Sequence, residues 1–138
     1  MTQEELERRT REIVRQNAFI AYNHMDLKEV APDRAVFSLE IHPDSTNGYG
    51  MVHGGALYAL ADNAAGCAVH TDGRSYVTQT GSLNYLSNQS QGVVLAEGRV
   101  RRRGHRTALA AVDITGEDGR LLATGEFLYF CVGEKEKV

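Results

Sequence analysis

The chain has 138 residues, 42% apolar and 24% charged, with two prolines and a formal charge of −3. That length suits one domain with a real core, and a net anionic chain argues against a nucleic-acid partner, whose phosphates need a cationic face. Cys67 and Cys131 fit neither a metal spacing nor a disulfide framework, so both are read as buried free thiols in a reducing compartment.

The N-terminus, MTQEELERRTREIVRQNAF, is charged from the start. It lacks the apolar core of a signal peptide, and no later run is long enough to span a bilayer. A soluble cytoplasmic protein with no membrane partner is expected. Thr2 followed by Glu5 reads as a capping box, opening a surface helix that runs to about Asn17 (the N-terminal helix occupying 1–18), with a thin apolar stripe of Leu6, Ile13 and Val14. Phe19–Val30 reads as a weakly patterned strand. Arg34–His42 alternates better, placing Ala35, Phe37, Leu39 and Ile41 on one face. Residues 43–48, PDSTNG, are turn chemistry. A helix from about Gly54 to Thr71 follows, small or apolar on nearly every face and closed by Asp72-Gly73. Four strands are expected after it, over Val77–Leu86, Gly92–Arg103, Thr107–Thr115 and Arg120–Val132, each joined to the next by a turn. The Glu117-Asp118-Gly119 turn is the clearest hairpin signal. Residues 133–138 read as a frayed charged tail. The pattern specifies a single α+β domain over 1–138, in which one apolar helix packs on an antiparallel sheet. The sheet must curl around that helix, or a second subunit must cover it.

Asp62 stands inside that apolar helix, where desolvation makes a carboxylate costly. It shares a face with Tyr58, Ala65, Gly66 and Val69. One reading is a carboxylate satisfied by a neighbouring hydroxyl or chain; the other is a general base or nucleophile tuned by partial burial. Gly54 and Gly55, at the helix start, bring unshared N–H groups at the positive end of the dipole close to a ligand, as an acyl-transfer oxyanion requires. A glycine pair that merely relieves crowding at a turn is the alternative. Gly54 and Asp62 are eight residues apart, about 12 Å along a helix, so one carbonyl cannot touch both. If both act on one substrate, they come from different subunits of a dimer.

The pattern Asn47, His53-Gly54-Gly55, Asp62 resembles the hotdog-fold acyl-CoA thioesterases of the PaaI, or phenylacetate-degradation, type, and almost the whole chain follows that family's element order. The resemblance implies a long central helix wrapped by a curled antiparallel sheet, a homodimer with one continuous sheet, and commonly a homotetramer with sites at the subunit interface. It implies Asp62 as general base or nucleophile and the Gly54 N–H as the group polarising the thioester carbonyl. Asn47 would orient the carbonyl or the water, and His53 would shape the turn and contact substrate. Thr78 would help to hold the water. Some relatives carry a threonine one helical turn beyond the acid, where this chain has Gly66.

Arg99–Arg106, RVRRRGHR, is the only basic cluster. It reads either as a solvated strand end or as a site where guanidinium forks meet the coenzyme A phosphates, Arg102 first, then Arg103 and Arg106. Tyr85 is a wall for the pantetheine arm or an interface tyrosine. Many relatives follow that strand with Arg-Pro; this chain has Leu86-Ser87-Asn88. Tyr58, Met51 and Tyr49 are candidates for the acyl pocket, which would admit aryl or medium-chain acids. The expected reaction is hydrolysis of an acyl-CoA to free acid and CoA, with no metal and no cofactor beyond the coenzyme A of the substrate. A hotdog hydratase or dehydratase is the first alternative, but its acid–histidine pairing is not found. A non-catalytic acyl-CoA-binding module is the second, and an intact Asp62 argues against it.

Overall fold

The fold is described from a computed structural model over residues 1–134. Thr2 and Glu5 form the reciprocal capping box at the start of helix α1, Gln3–Arg15. The helix stops short of Asn17 because Asn17 is itself a cap: its Oδ1 accepts from the Phe19 and Ile20 N–H groups and opens a second short helix, α2, Ala18–Tyr22. Such a side chain satisfies helix donors that have no internal partner. The strand expected over Phe19–Val30 is therefore helical in its first part and extended only in β1, Met25–Ala31.

In β2, Arg34–Glu40, the side chains of Ala35, Phe37 and Leu39 are fully buried, as their alternation requires. After a 3₁₀ turn at Pro43–Ser45, helix α3 covers Gly54–Val69. It then tightens into a second 3₁₀ turn, His70–Asp72, which ends at Gly73 with φ 86°. The remaining strands are β3, Ser75–Tyr85; β4, Val93–Arg103; β5, Thr107–Thr115; and β6, Leu121–Gly133. Of the tail expected over 133–138, Gly133 ends β6, Glu134 is exposed, and 135–138 lie outside the described residues.

The six strands form one open antiparallel sheet in the order β1-β2-β4-β5-β6-β3. Strands β4, β5 and β6 are the expected meander. The hairpin expected between β3 and β4 does not form: β3 pairs with β6, and β4 with β2. Leu86 and Ser87 both donate to the Leu122 carbonyl of β6, and Ile41, just past β2, donates to the Gly92 carbonyl. The loop between them thus returns the chain across the sheet instead of turning it back.

Helix α3 lies on this sheet with Leu57, Leu60, Ala61, Ala64, Ala65, Ala68 and Val69 buried. The alanines let it approach closely. At Gly98 of β4 a Cβ would lie 2.6 Å from the Ala64 carbonyl oxygen, so any side chain there would force helix and sheet apart. The two sheet edges differ. At β1 the outward carbonyls receive side chains of α1: Gln3 donates to Val30 at 2.7 Å, and Arg11 donates to Leu27 at 3.0 Å. At β3, among the described residues, no group outside β6 bonds to the backbone from Val77 to Asn84. No helix among the described residues is long and apolar enough to cross a membrane.

Candidate active site

Asp62 does not face the core. It is half-buried and opens onto a cleft of about 350 Å³ bounded by Gly66 and Cys67 of α3, Tyr76 and Thr78 of β3, and Tyr129 of β6. Two hydroxyls converge on one of its oxygens: Thr78 donates to Oδ1 at 2.9 Å and Tyr129 at 2.6 Å. The Tyr129 hydroxyl also lies 2.8 Å from the Asp62 backbone carbonyl, so its single proton is held against α3 in either direction. Burial, and then the neighbouring Asp62 charge, pushes the Tyr129 phenol far up, which keeps it a donor. Among the described residues no donor reaches Oδ2, and no cation pairs with Asp62.

Thr78, which the resemblance implied would help to hold the water, is placed against the acid itself. Tyr129 was not among the expected residues. Its signal was the alternation Phe127, Tyr129, Cys131, which turns a phenol toward the core side, where it needs a partner.

The start of α3 is a separate corner. His53 is its N-cap, with Nδ1 accepting from the Gly55 N–H at 2.8 Å. The Gly55 donor is therefore already used, whereas the half-exposed Gly54 N–H has no acceptor among the described residues. The Tyr85 hydroxyl donates to the Gly54 carbonyl at 2.9 Å, and a Cβ at Gly54 would sit 3.4 Å from the Tyr85 ring. Asn47 shapes the approach to this corner: its Oδ1 accepts from Tyr49 N–H at 2.9 Å and Met51 N–H at 3.2 Å. Tyr49, Met51 and Tyr58 are exposed and stand outside the Asp62 cleft. Neither Gly54, Asn47 nor His53 lines that cleft within one chain.

The arginines of the basic segment separate into three kinds. Arg99 pairs with Glu97 at 2.9 Å and Arg101 with Glu126 at 3.6 Å. Arg103 turns inward, where it donates to the Val69 carbonyl, Asp72, Tyr76 and Asp33. That inward set does not fit the nucleotide contact expected of Arg103. Arg102 and Arg106 are exposed, and their guanidinium groups have no partner among the described residues. No group of three or more His, Cys, Asp or Glu among the described residues could hold a metal ion. A second hollow, about 1060 Å³, between α1 and the Thr71–Gly73 turn is bordered by Asp72 but by neither Asp62, Gly54 nor any arginine of this segment.

One central apolar helix laid on an open antiparallel sheet of this strand order is the hotdog fold. The Thioesterase superfamily matches residues 49–123, and the chain belongs to it. A Mycobacterium tuberculosis protein named as an esterase is 29% identical over 108 residues, 74% of this chain and 77% of that one. The Escherichia coli acyl-coenzyme A thioesterase PaaI is 28% identical over 90 residues, 64% of each chain. The structure of the E. coli PaaI protein superposes with a TM-score of 0.92 at 20% identity, covering 98% of this chain and 99% of that one. A Streptococcus pneumoniae thioesterase with coenzyme A superposes at 0.81 and 28% identity, covering 89% and 99%. Two further structures of that pneumococcal protein carry an aspartate-to-alanine and a threonine-to-alanine change, sixteen positions apart.

Proposed function

We propose that this chain hydrolyses an aryl- or medium-chain acyl-CoA to the free acid and coenzyme A, with Asp62 as the reacting carboxylate. The observation that carries the reading is the Asp62 oxygen held by Thr78 and Tyr129 while Oδ2 is left toward the cleft. The same sixteen-residue separation divides Asp62 from Thr78 and the two substituted positions of the pneumococcal relative.

On this reading Oδ2 takes a proton from water as the water oxygen adds to the thioester carbonyl, or adds to that carbon itself. The carbonyl oxygen gains the negative charge and accepts the free Gly54 N–H, an oxyanion contact at a helix start. Collapse breaks the C–S bond, and the coenzyme A thiolate leaves and takes up a proton. When Asp62 is the nucleophile, water then cleaves the mixed anhydride.

Gly54 and Asp62 lie about 12 Å apart along α3, so the two corners meet only between two copies of the chain. The bare β3 edge supports that arrangement, because an unpaired edge is a template for another strand, and a two-fold axis there joins two sheets into one. A tetramer of two such pairs follows from the same resemblance. Arg102 and Arg106, the unpaired cations, are the proposed contacts for the coenzyme A phosphates, while Arg103 supports the strand end beneath them. Tyr85 would flank the pantetheine arm, and Asn47 and His53 would set the loop beside it. Coenzyme A is then part of the substrate, no cofactor enters, and a cytoplasmic setting suits such a substrate.

The test is a free-thiol assay of wild type and Asp62→Asn on benzoyl-, phenylacetyl-, octanoyl- and acetyl-CoA. Hydrolysis that needs Asp62 is the expected result. Equal turnover by both proteins would remove Asp62 from the chemistry.

A further inference from the structure

The Asp62 cleft does not end at Asp62. Its far wall is the N-terminal segment: Ile13 and Val14 near the end of α1, Asn17 between the helices, and Ile20 of α2. Val77 of β3 lines it as well. These helices lie outside residues 49–123, the part matched by the superfamily. The reacting carboxylate and this wall therefore belong to different parts of the chain.

Beside Asp62, several polar groups along the cleft are already engaged. His70 donates from Nδ1 to the Gly66 carbonyl at 2.6 Å, and its Nε2 accepts from the Tyr76 N–H at 3.4 Å. The Tyr76 hydroxyl donates to Asp72 at 2.6 Å, and Asn63 donates to the Met25 sulfur at 3.4 Å. The Asn17 Oδ1 is spent on capping α2. Burial pushes the half-buried Cys67 thiol up to about 12, so it is neutral. Among the described residues, no lysine or arginine lines the cleft, and its one carboxylate is Asp62. An anionic or strongly polar acyl tail would meet no cation there and would lose water without compensation. The volume, about 350 Å³, lies near the lower end of the roughly 300–1000 Å³ usual for small-molecule sites.

We infer that α1 and α2 are the acyl-specificity wall of this enzyme: an uncharged, apolar tail of aryl or medium-chain size lies between Val77 and the Ile13, Val14 and Ile20 side chains, its thioester carbonyl at Asp62. This rests on the thioesterase reading above and adds to it the part of the chain that chooses the acid. Ile13 is half-exposed while Ile20 is buried. The wall is thus firm at its base and open at its rim, and bulk added at Ile13 or Val14 shortens the space without touching the superfamily-matched region.

The experiment measures kcat/KM of wild type, Ile13→Phe and Val14→Phe on acetyl-, octanoyl-, phenylacetyl- and malonyl-CoA, with circular dichroism to check folding. Wild type is expected to favour octanoyl or phenylacetyl over acetyl and malonyl esters. Each phenylalanine variant should lower the octanoyl-to-acetyl ratio by about tenfold or more, since one methylene of misfit in an apolar pocket is worth roughly 10–200-fold. Should Val14→Phe fail to fold, Ile13→Phe, at an exposed rim position, decides alone. A folded variant whose ratio stays within about twofold of wild type overturns the wall, as does malonyl-CoA hydrolysed as well as octanoyl-CoA. If wild type cleaves none of the four esters, the thioesterase reading itself falls and the wall with it, a result distinct from an unchanged ratio.

Discussion

Two aspartates, one inside α3 and one in the 3₁₀ turn that follows it, begin alike and are held differently. Asp62 accepts a tyrosine hydroxyl at 2.6 Å from Tyr129, and Asp72 accepts one at 2.6 Å from Tyr76. Beyond that they diverge. Asp72 also receives the Arg74 Nε at 2.8 Å, the Arg74 backbone N–H at 2.9 Å and the Arg103 guanidinium at 2.9 Å. Burial alone would push its carboxyl up, but the hydrogen bonds of Tyr76 and Arg74 and the charge of Arg103 hold it below its usual range. Both of its oxygens are occupied, and two cations balance one charge. Asp62 has neutral donors on one oxygen and, among the described residues, no cation. A saturated, charge-balanced carboxylate fastens the strand ends; one steadied by hydroxyls keeps an oxygen open beside the cleft.

The contrast breaks most visibly at Asp62→Asn. Removing a positioned base or nucleophile is expected to lower turnover by roughly 10²–10⁴-fold, while the thermal midpoint stays near wild type because Asn can still accept from Thr78 and Tyr129. Asp72→Ala should do the reverse. It strands Arg74 in the fold without its counter-charge and leaves Arg103 with Asp33 alone, and breaking a buried pair costs about 3–5 kcal/mol. Arg103 is 22% exposed, so a figure of about 2 kcal/mol in urea titration is more apt once solvent screening is allowed for. The pH dependence has a definite sign. The folded carboxyl titrates below the unfolded value of about 3.9, so its stabilisation is present above that pH and is lost as pH falls through the folded value. Wild type should lose stability on acidification below about pH 4 more steeply than Asp72→Asn, measured by thermal melts from pH 5 to 2.5. Equal slopes would mean that Asp72 is not the charge lock described here.

Why one of these aspartates was legible in the sequence and the other not is a matter of surroundings. Asp62 stands out because everything around it in α3 is small or apolar. Asp72 sits in Asp72-Gly73, a common helix stop, and its partners come from Arg74 just before β3, from Tyr76 in β3 and from the far end of β4. The fold class, the α1 capping box and the meander of β4, β5 and β6 were likewise readable, because each depends on local period or turn chemistry. The pairing of β3 with β6 was not, since the Leu86–Gly92 loop crosses the sheet through contacts with Leu122 and Ile41 that no local pattern announces. Asn17 looked like a helix end and is also a helix start. In the basic segment, a shift in pairing between Val100 and Arg102 breaks the simple alternation, so Arg103 turns inward while Arg102 stays out. Tyr129 is one of six tyrosines, and only the packing of β6 against α3 reveals which one meets Asp62.

The hydroxyls on Asp62 sharpen the comparison at a smaller scale. Tyr129→Phe leaves the ring in the core and takes away the 2.6 Å hydrogen bond, so kcat should fall about tenfold, the loss of one charge-assisted hydrogen bond of about 1.5 kcal/mol, with KM near wild type. A purely structural tyrosine would instead lower the melting temperature without changing kcat. Thr78→Ala should act in the same sense. Because both hydroxyls serve the same oxygen, the double variant is expected to lose less than the product of the two single losses.

The smallest effect separates the free arginine from the bound one. Arg102 carries its charge into solvent, so Arg102→Ala should raise KM for coenzyme A esters several-fold, by the modest worth of an exposed ion pair. It should leave stability unchanged and spare thioesters of pantetheine alone, which lack the nucleotide. Arg103 anchors the Val69 carbonyl, Asp72, Tyr76 and Asp33, so Arg103→Ala should lower the melting temperature and affect both kinds of thioester to the same degree. Added salt supplies the independent check. Exposed phosphate contacts weaken as ionic strength rises, so the KM difference between wild type and Arg102→Ala should close at high salt, whereas the stability loss in Arg103→Ala should persist. If Arg102→Ala instead raised KM equally for coenzyme A and pantetheine esters, the nucleotide would lie elsewhere, with Arg106 the next unpaired cation on the same strand end.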